Sequence, residues 1–123
     1  FDNVVSCLRP GGYFIATVPD DTVIRTCSGN DLYSVAFDTE RTYRFTLQDS
    51  VNDCPEHLVS VDFLRRVKGM ELVFTENFHG FFERHKHKYG NLLRRMRVGR
   101  VPKNEWEVAG LYRVVIMRKS GTH

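Results

Sequence analysis

One run near the start of the chain, residues 8–20, constrains the fold more than any other feature, and it reads LRPGGYFIATVPD. The Pro-Gly-Gly turn ends the preceding element, the apolar residues that follow are typical of a buried strand, and Pro19 ends that strand. Four earlier residues share one helix face at i, i+3, i+4 and i+7: Phe1, Val4, Val5 and Leu8. The chain therefore begins inside a helix–strand unit, and we expect it to be the later half of a larger α/β domain.

The first half of the remaining sequence predicts a small β insertion. Asp20 or Asp21 can accept a hydrogen bond from an exposed amide and so cap a short helix. Residues 32–37 and 43–47 have strand composition, and the second alternates apolar and polar side chains, which indicates a half-buried antiparallel strand. We expect these two strands to form a hairpin, followed by a polar loop over residues 51–56.

The second half predicts alternating helices and strands. Apolar residues at helical spacing run from Val59 to Val67, and we expect that helix to stop at Lys68 with Gly69 as its cap. A strand over 70–75 follows, and then a basic helical stretch that reaches Arg97 and is broken at Gly90. A short helix over 102–109 and a strand over 111–117 complete a single domain with no repeat and no linker.

Charge and cysteine content exclude few functions. The net charge of +3 permits a polyanionic partner, and the cations concentrate in residues 84–103, where no acid occurs. The three cysteines are widely spaced and contain no C-x-x-C pair, so we expect reduced thiols. The sequence contains no signal peptide and no long apolar run, so we expect no membrane partner.

Standard catalytic motifs do not occur in the sequence. It contains no G-x-G-x-x-G, no phosphate-binding P-loop and no nucleophile elbow. His79, His85 and His87 stand among cations that repel a divalent metal, so we expect no metal site there. A serine or cysteine near a histidine in sequence is not evidence for a nucleophilic pair, and we name no catalytic residue.

Five segments in order resemble the messenger RNA cap guanine-N7 methyltransferases. The family pattern P-G-G-Y-F-I-x-T-x-P matches residues 10–19, and G-N-x-x-Y-x-V-x-F matches 29–37. The patterns Y-x-F-x-L, V-P-E-F/Y-L-V and E-W-E-A-x-x-x-Y-x-V-F match 43–47, 54–59 and 105–115. The resemblance implies the C-terminal half of a Rossmann-like class I S-adenosylmethionine-dependent methyltransferase domain, with a mixed sheet and a small β insertion.

The resemblance also implies a binding site for the cap guanine. Glu56 matches the glutamate that reads guanine in the family, Tyr112 a tyrosine of the cap pocket, and Pro19 a proline that lines it. A carboxylate can accept from N1–H and the N2 amine of guanine together. From the residues alone, other roles stay open: Glu56 as a first-turn helix acid, Tyr112 as a sheet aromatic and Pro19 as a strand terminator.

Further residues have supporting or core roles. Asn30 and Tyr33 match family positions, and we expect them to support the site, whereas Trp106 is more typical of a core. The basic stretch resembles the family's L-L-K-R-M run, and Arg94, Arg95 and Arg97 are candidate contacts for phosphate or RNA, with a solvated helix face as the alternative. The chain departs from the family in its short connection to Trp106 and in His57, where an aromatic is usual.

The implied reaction transfers a methyl group from S-adenosylmethionine to N7 of the cap guanine. N7 attacks with its own lone pair and loses no proton, so no general base is needed and alignment supplies the catalysis. We expect the cofactor to be held mainly by polypeptide that precedes Phe1, and residues 1–123 alone to be inactive. The expected partners are the capped 5′ end of RNA and other capping-enzyme domains or subunits, in the nucleus, or in the cytoplasm for a viral protein.

Two other functions stay open from the sequence. One is a non-catalytic module or subunit that binds capped RNA, which the basic stretch favours. The other is a small-molecule methyltransferase of the same fold, which would share the strand over 10–19 but would not need Glu56 or the segment over 106–112.

Overall fold

The computed structural model describes residues 1–121, which form two three-stranded antiparallel sheets and six short helices. The strands are β1 (Tyr13–Pro19), β2 (Tyr33–Phe37), β3 (Thr42–Leu47), β4 (Val51–His57), β5 (Met70–Asn77) and β6 (Tyr112–Lys119). The helices are α1 (Asp2–Cys7), α2 (Asp21–Thr26), α3 (Val61–Arg65), α4 (Phe78–His85), α5 (Gly90–Arg95) and α6 (Lys103–Ala109).

The first sheet has the strand order β1-β6-β5, and both outer strands run antiparallel to β6. Strands β1 and β5 therefore share a direction, with β6 inserted between them. One face packs against α1 and α3 around a core of four buried residues: Leu64, Met70, Val115 and Met117. On the opposite face, alternate residues of β1 are open to solvent, and Ile15 is 70% exposed.

The second sheet is a meander, β2-β3-β4, that covers a separate core. Its buried residues are Ile24, Tyr33, Tyr43, Phe45 and Leu111. Because Leu111 directly precedes β6 and Ile24 lies on α2, this core joins the second sheet to one end of the first. That end of the first sheet holds the last residue of β1 and the first residue of β6.

A buried polar group fixes the same end. Asp20 is 1% exposed, caps α2 through Thr22, and accepts hydrogen bonds from Asn77 at 3.0 Å and Arg113 at 3.3 Å. Burial alone would raise the pKa of Asp20, but the hydrogen bonds from Asn77 and Thr22 and the charge of Arg113 outweigh it and lower the pKa. This carboxylate ties β1, α2, β5 and β6 together.

The expected polar loop over 51–56 is wrong, because these residues form β4. Proline is uncommon inside a strand, since it has no N–H to donate. The structure accommodates it at the edge of the sheet, where β4 pairs on one side only and Arg44 lies opposite Pro55. The predicted two-stranded hairpin is therefore extended by a third strand.

The helix expected from Val59 to Gly69 is shorter than predicted. It covers only Val61–Arg65, with Ser60 as its N-cap. Gly69 does not cap it, but sits in the turn that starts β5, with a φ of +82° that favours glycine. The other predicted helices and strands occur within a few residues of their expected bounds, and the capping role of Asp20 is confirmed.

The α/β composition is confirmed, with one difference in the sheet. Among the described strands all neighbouring pairs are antiparallel, so the expected mixed sheet contains no parallel pair of neighbours. Cys7, Cys27 and Cys54 are free thiols. In residues 1–121, no helix has the length and apolar character needed to cross a membrane.

Candidate functional site

Pro19 and Tyr112 lie side by side at one end of the first sheet. They are opposite each other in the β1–β6 register, as the last residue of β1 and the first of β6. The next backbone contact, from Asp20 N–H to the Leu111 carbonyl at 2.7 Å, extends this pairing. The buried Asp20 carboxylate therefore holds both residues on a fixed frame.

Glu56 reaches this region from the second sheet. Its cross-strand partner on β3 is Tyr43, and the Tyr43 hydroxyl donates a hydrogen bond of 2.7 Å to Glu56 Oε1. Tyr43 is 1% exposed, so its ring and hydroxyl are fixed by the core. Glu56 itself is half-buried and, within residues 1–121, has no cation as an ion-pair partner.

Glu56 also acts on Tyr112. Burial raises the pKa of the Tyr112 hydroxyl, and the negative charge of Glu56 raises it further. Burial likewise raises the pKa of Tyr43, with the hydrogen bond to Glu56 and its charge as further causes. The structure thus places Tyr112 opposite Pro19 and near enough to Glu56 for the charge of Glu56 to act on it. The pocket that the resemblance assigned to Pro19, Glu56 and Tyr112 stays a prediction.

The arrangement suits a ligand that donates hydrogen bonds. An ionised carboxylate has about four acceptor positions, and Tyr43 uses one of them. A half-buried carboxylate with no cation beside it gains from donors that a ligand supplies. The ring of Tyr112 and the apolar surface of Pro19 add a wall on which a flat base can rest.

The two predicted supporting residues have internal roles in the structure. The Asn30 amide donates to the Asn104 carbonyl at 3.1 Å and to Glu107 at 3.0 Å, and its oxygen accepts from the Leu32 and Tyr33 amides. Tyr33 is 7% exposed and belongs to the core of the second sheet. Both residues hold the turn before β2 against α6, which leaves their proposed supporting role a prediction.

The three predicted phosphate contacts lie apart from this group. Arg94 and Arg95 are exposed in the last turn of α5, and Arg97 follows in a turn with a φ of +59°. Within residues 1–121, no hydrogen bond or ion pair joins them to Pro19, Glu56 or Tyr112. Their predicted contact with RNA therefore stays a prediction.

Trp106 sits in an aromatic cluster rather than in the pocket. Its ring stacks on His79 at 4.3 Å between centroids, with Phe78 and Phe82 edge-on. Trp106 is half-buried and belongs to neither of the two buried cores, so it packs in this aromatic cluster rather than in the core that was expected. His79 is held by the same cluster, and its Nε2 lies 2.6 Å from the Trp106 carbonyl.

Sequence reasoning missed Tyr43 as part of the site. Tyr43 was recognised as an apolar position in the alternating pattern of β3. Its contact with Glu56 depends on β4, and that segment was expected to be a polar loop. The signal that could have found it is the sequence after Val51, which continues the meander once an edge position is allowed for Pro55.

The described residues do not offer a complete cofactor cradle. Among the strand-to-helix connections of residues 1–121, none is rich in glycine, and Gly11 and Gly12 precede β1 rather than follow it. No group of three or more His, Cys, Asp or Glu side chains in these residues could hold a metal ion.

Comparison with protein families decides the class. The model of the mRNA (guanine-N(7))-methyltransferase domain matches residues 1–120. The chain belongs to this family. The match covers Pro19, Glu56 and Tyr112 and all the strands that carry them.

Curated relatives agree with the family assignment. The chain is 35% identical over 153 residues to mRNA cap guanine-N(7) methyltransferase 1 of Oryza sativa subsp. japonica, covering 97% of the chain and 41% of the relative. It is 32% identical over 168 residues to the mRNA cap guanine-N(7) methyltransferase of Drosophila melanogaster, covering 95% of the chain and 39% of the relative. It is 30% identical over 150 residues to the mRNA cap guanine-N(7) methyltransferase of Schizosaccharomyces pombe, covering 97% of the chain and 42% of the relative. The chain thus spans about two fifths of the length of these relatives.

Proposed function

We propose that this chain is the guanine-binding part of an mRNA cap guanine-N7 methyltransferase, which transfers a methyl group from S-adenosylmethionine to N7 of the cap guanine. The observation that carries the proposal is the Glu56 carboxylate, oriented by Tyr43 at 2.7 Å and placed beside Tyr112 without a cation. Membership of the family gives the reaction class, and this geometry supports the substrate.

The base-reading step follows from hydrogen-bond chemistry. Guanine presents N1–H and the N2 amine as adjacent donors, and Glu56 has acceptor positions left after the bond from Tyr43. A bidentate contact of this kind is worth about 1–3 kcal/mol of discrimination against another base. Adenine presents a ring acceptor in place of N1–H, and so it is rejected by the carboxylate.

The remaining residues position the base. The Tyr112 ring and Pro19 hold one surface of the purine, and a tyrosine ring also stabilises the positively charged 7-methylguanine product. N7 lies on the edge of guanine away from N1 and N2, so a base held by Glu56 leaves N7 accessible. Because N7 loses no proton, these residues need only bind and orient the base.

We propose that S-adenosylmethionine, the donor implied by the family, is held mainly by polypeptide preceding Phe1, and that residues 1–123 alone are inactive. The outer edge of β1 is unpaired within residues 1–121, and Tyr13 and Ile15 on it are 57% and 70% exposed. This open edge supports a Rossmann-like sheet that continues beyond β1.

The basic stretch and the relatives support further parts of the proposal. Arg94, Arg95 and Arg97 are exposed and suited to RNA phosphates. Other capping domains or subunits are proposed partners. We place the protein in the nucleus, because the relatives named above come from a plant, an insect and a fungus rather than from viruses.

The direct test replaces Glu56 by alanine in the full-length protein. We expect methyl transfer to capped RNA to lose about 1–3 kcal/mol in kcat/KM, as for loss of one bidentate base contact. The affinity for S-adenosylmethionine, measured by calorimetry, should stay unchanged. A matched control is Asp53→Asn, because Asp53 lies on the same strand but forms an exposed ion pair with Arg44. Unchanged kcat/KM for Glu56→Ala would refute the assignment.

A further inference from the structure

We propose that a cavity lined by Arg25, Arg41 and Arg66 binds phosphate groups of the RNA whose terminal guanine occupies the neighbouring site. This inference rests on the proposed function, because it names how the same substrate continues past Glu56. Arg25 lies on α2, Arg41 directly precedes β3 and Arg66 directly follows α3, so the cavity is separate from the basic stretch around Arg94.

The cavity has a volume of about 340 Å³. It is bordered by α2, the residue before β3, the segment after β4, and α3 with the residue that follows it. Leu58, Ser60 and Phe63 contribute to its wall beside the three arginines. A volume of this size can admit a phosphate group with part of a sugar.

The three guanidinium groups are available to a ligand. In the part of the chain that the structure describes, none of them takes part in an ion pair or a side-chain hydrogen bond. Two acids also border the cavity, but Asp62 lies 3.8 Å from Arg65, which is outside it. With Asp21 as the other acid, the lining keeps an excess of positive charge.

The cavity adjoins the base-binding carboxylate along β3 and β4. Arg41 lies two residues before Tyr43, so both face the same side of the sheet, and Glu56 lies opposite Tyr43. The Leu58 amide donates to the Arg41 carbonyl at 2.7 Å, which continues the strand pairing by one residue on each strand. Arg41 is therefore about 7 Å along the strand from the residue that orients Glu56.

The side of the cavity formed by α2 also begins next to the base-binding site. Asp21 and Arg25 lie on α2, whose first residue comes two positions after Pro19. A nucleotide held between Pro19 and Glu56 therefore lies next to this cavity along two segments, the β3–β4 pair and α2. Arginine suits the partner, because its planar fork donates two parallel hydrogen bonds to phosphate oxygens.

The basic stretch is less free at its start. Arg84 pairs with Glu76, and Lys86 with Glu83 at 2.7 Å. The cavity thus presents three unpaired cations beside the base site, while part of the more obvious basic surface is neutralised. Phosphate is the shared chemistry, and it can come from the 5′–5′ triphosphate of the cap or from the RNA chain behind it.

The test uses the full-length protein with Arg25, Arg41 and Arg66 all changed to glutamine. Binding is measured against salt concentration for a capped dinucleotide, a capped RNA of ten nucleotides and the same RNA without a cap. Each phosphate contact contributes about 0.7 to the slope of log affinity against log salt for a single strand, so the triple variant should lower the slope by about 2. Arg65→Gln is the matched control, and a triple lysine variant should keep the slope.

The outcomes separate the sources of phosphate and the two proposals. A lower slope for the capped dinucleotide assigns the cavity to the cap triphosphate, and a lower slope only for the longer RNAs assigns it to the chain. A lower slope for uncapped RNA supports the cavity even if Glu56→Ala leaves guanine selectivity unchanged. Equal slopes for the triple glutamine variant, Arg65→Gln and the parent protein, at equal melting temperature, would overturn the inference.

Discussion

At the scale of single residues, the site depends on a hydrogen bond between two side chains from neighbouring strands. Tyr43 donates to Glu56 Oε1 from a position that is 1% exposed, so the hydroxyl cannot turn to another partner without leaving the core. The bond fixes the plane of the carboxylate before any ligand arrives. Such orientation lowers the entropy lost on binding, which is how a buried tyrosine contributes to recognition without touching the base.

Tyr43→Phe tests this positioning role. The change removes one hydrogen bond and should lower the free energy of unfolding by about 1 kcal/mol. It should also weaken guanine binding, because Glu56 is no longer held in one orientation, while binding of uncapped RNA stays unchanged. The measurement is affinity for a guanine cap dinucleotide by calorimetry, with exposed Tyr13→Phe as the control. Equal guanine affinity in Tyr43→Phe and Tyr13→Phe would contradict the role.

The sequence located some residues of the site and not others. Pro19, Glu56 and Tyr112 were predicted together, because each lies in a short segment that resembles the family. Tyr43 was not, because its contact depends on the register between β3 and β4. The register between two strands is set by many weak contacts and by which strand lies at the edge of the sheet. No single residue in the sequence predicts it.

At the scale of elements, the largest difference between expectation and structure is β4. Proline normally interrupts a strand, and the segment that contains Pro55 was predicted to be a polar loop. The rule holds only for strands that pair on both sides, and β4 pairs with β3 alone. The pairing of β4 with β3 brings Glu56 to Tyr43, and the edge position of β4 is what lets this strand contain Pro55.

A second element-scale device holds α6 against the turn before β2. The Asn30 side chain makes four hydrogen bonds, two as donor to α6 and two as acceptor from the backbone of its own turn. The resemblance marked Asn30 as important but did not give the reason. In the structure its role is to join two elements that are far apart in sequence.

Asn30→Ala should therefore loosen both elements. We expect a loss of about 2 kcal/mol in unfolding free energy, because the amides of Leu32 and Tyr33 lose their acceptor. Amide hydrogen exchange should speed up at those two positions and in α6, and less in β1. Exposed Asn52→Ala is the control. Unchanged exchange at Leu32 and Tyr33 would show that the contact is not stabilising.

At the scale of the whole molecule, two cores meet at the end of the sheet that carries the site. Apart from β4, the sequence predicted the order of helices and strands, since hydrophobic periodicity is local. It did not predict that β6 lies between β1 and β5, because strand order depends on contacts between residues about a hundred positions apart. The family resemblance supplied the larger domain to which we assign these strands.

The buried ionisable groups predict how stability depends on pH. The folded pKa of Asp20 lies below its ordinary 3.8, so its contribution is present above that value and is lost as pH falls below it. The folded pKa values of Tyr43 and Tyr112 lie above the ordinary 10.0, so their contributions are present below pH 10.0 and are lost as pH rises past it.

Urea unfolding followed across this pH range checks the expectation. Asp20→Asn should flatten the fall in stability on the acid side, and Tyr43→Phe should reduce the fall on the alkaline side. Asp20→Asn should leave the alkaline fall in stability unchanged from the parent protein, and Tyr43→Phe should leave the acid fall unchanged. A parent protein whose stability does not fall below pH 3.8 would contradict the arrangement of Asp20 with Asn77 and Arg113.

The most direct test of guanine recognition compares two caps that differ in one group. Inosine lacks the N2 amine of guanine, so the full-length protein should bind a guanine cap dinucleotide about 1–3 kcal/mol more tightly than the inosine form. Glu56→Gln should remove most of that difference, since the amide has one acceptor oxygen where the carboxylate has two. Equal affinity of the parent protein for both caps, or full discrimination by Glu56→Gln, would contradict the account.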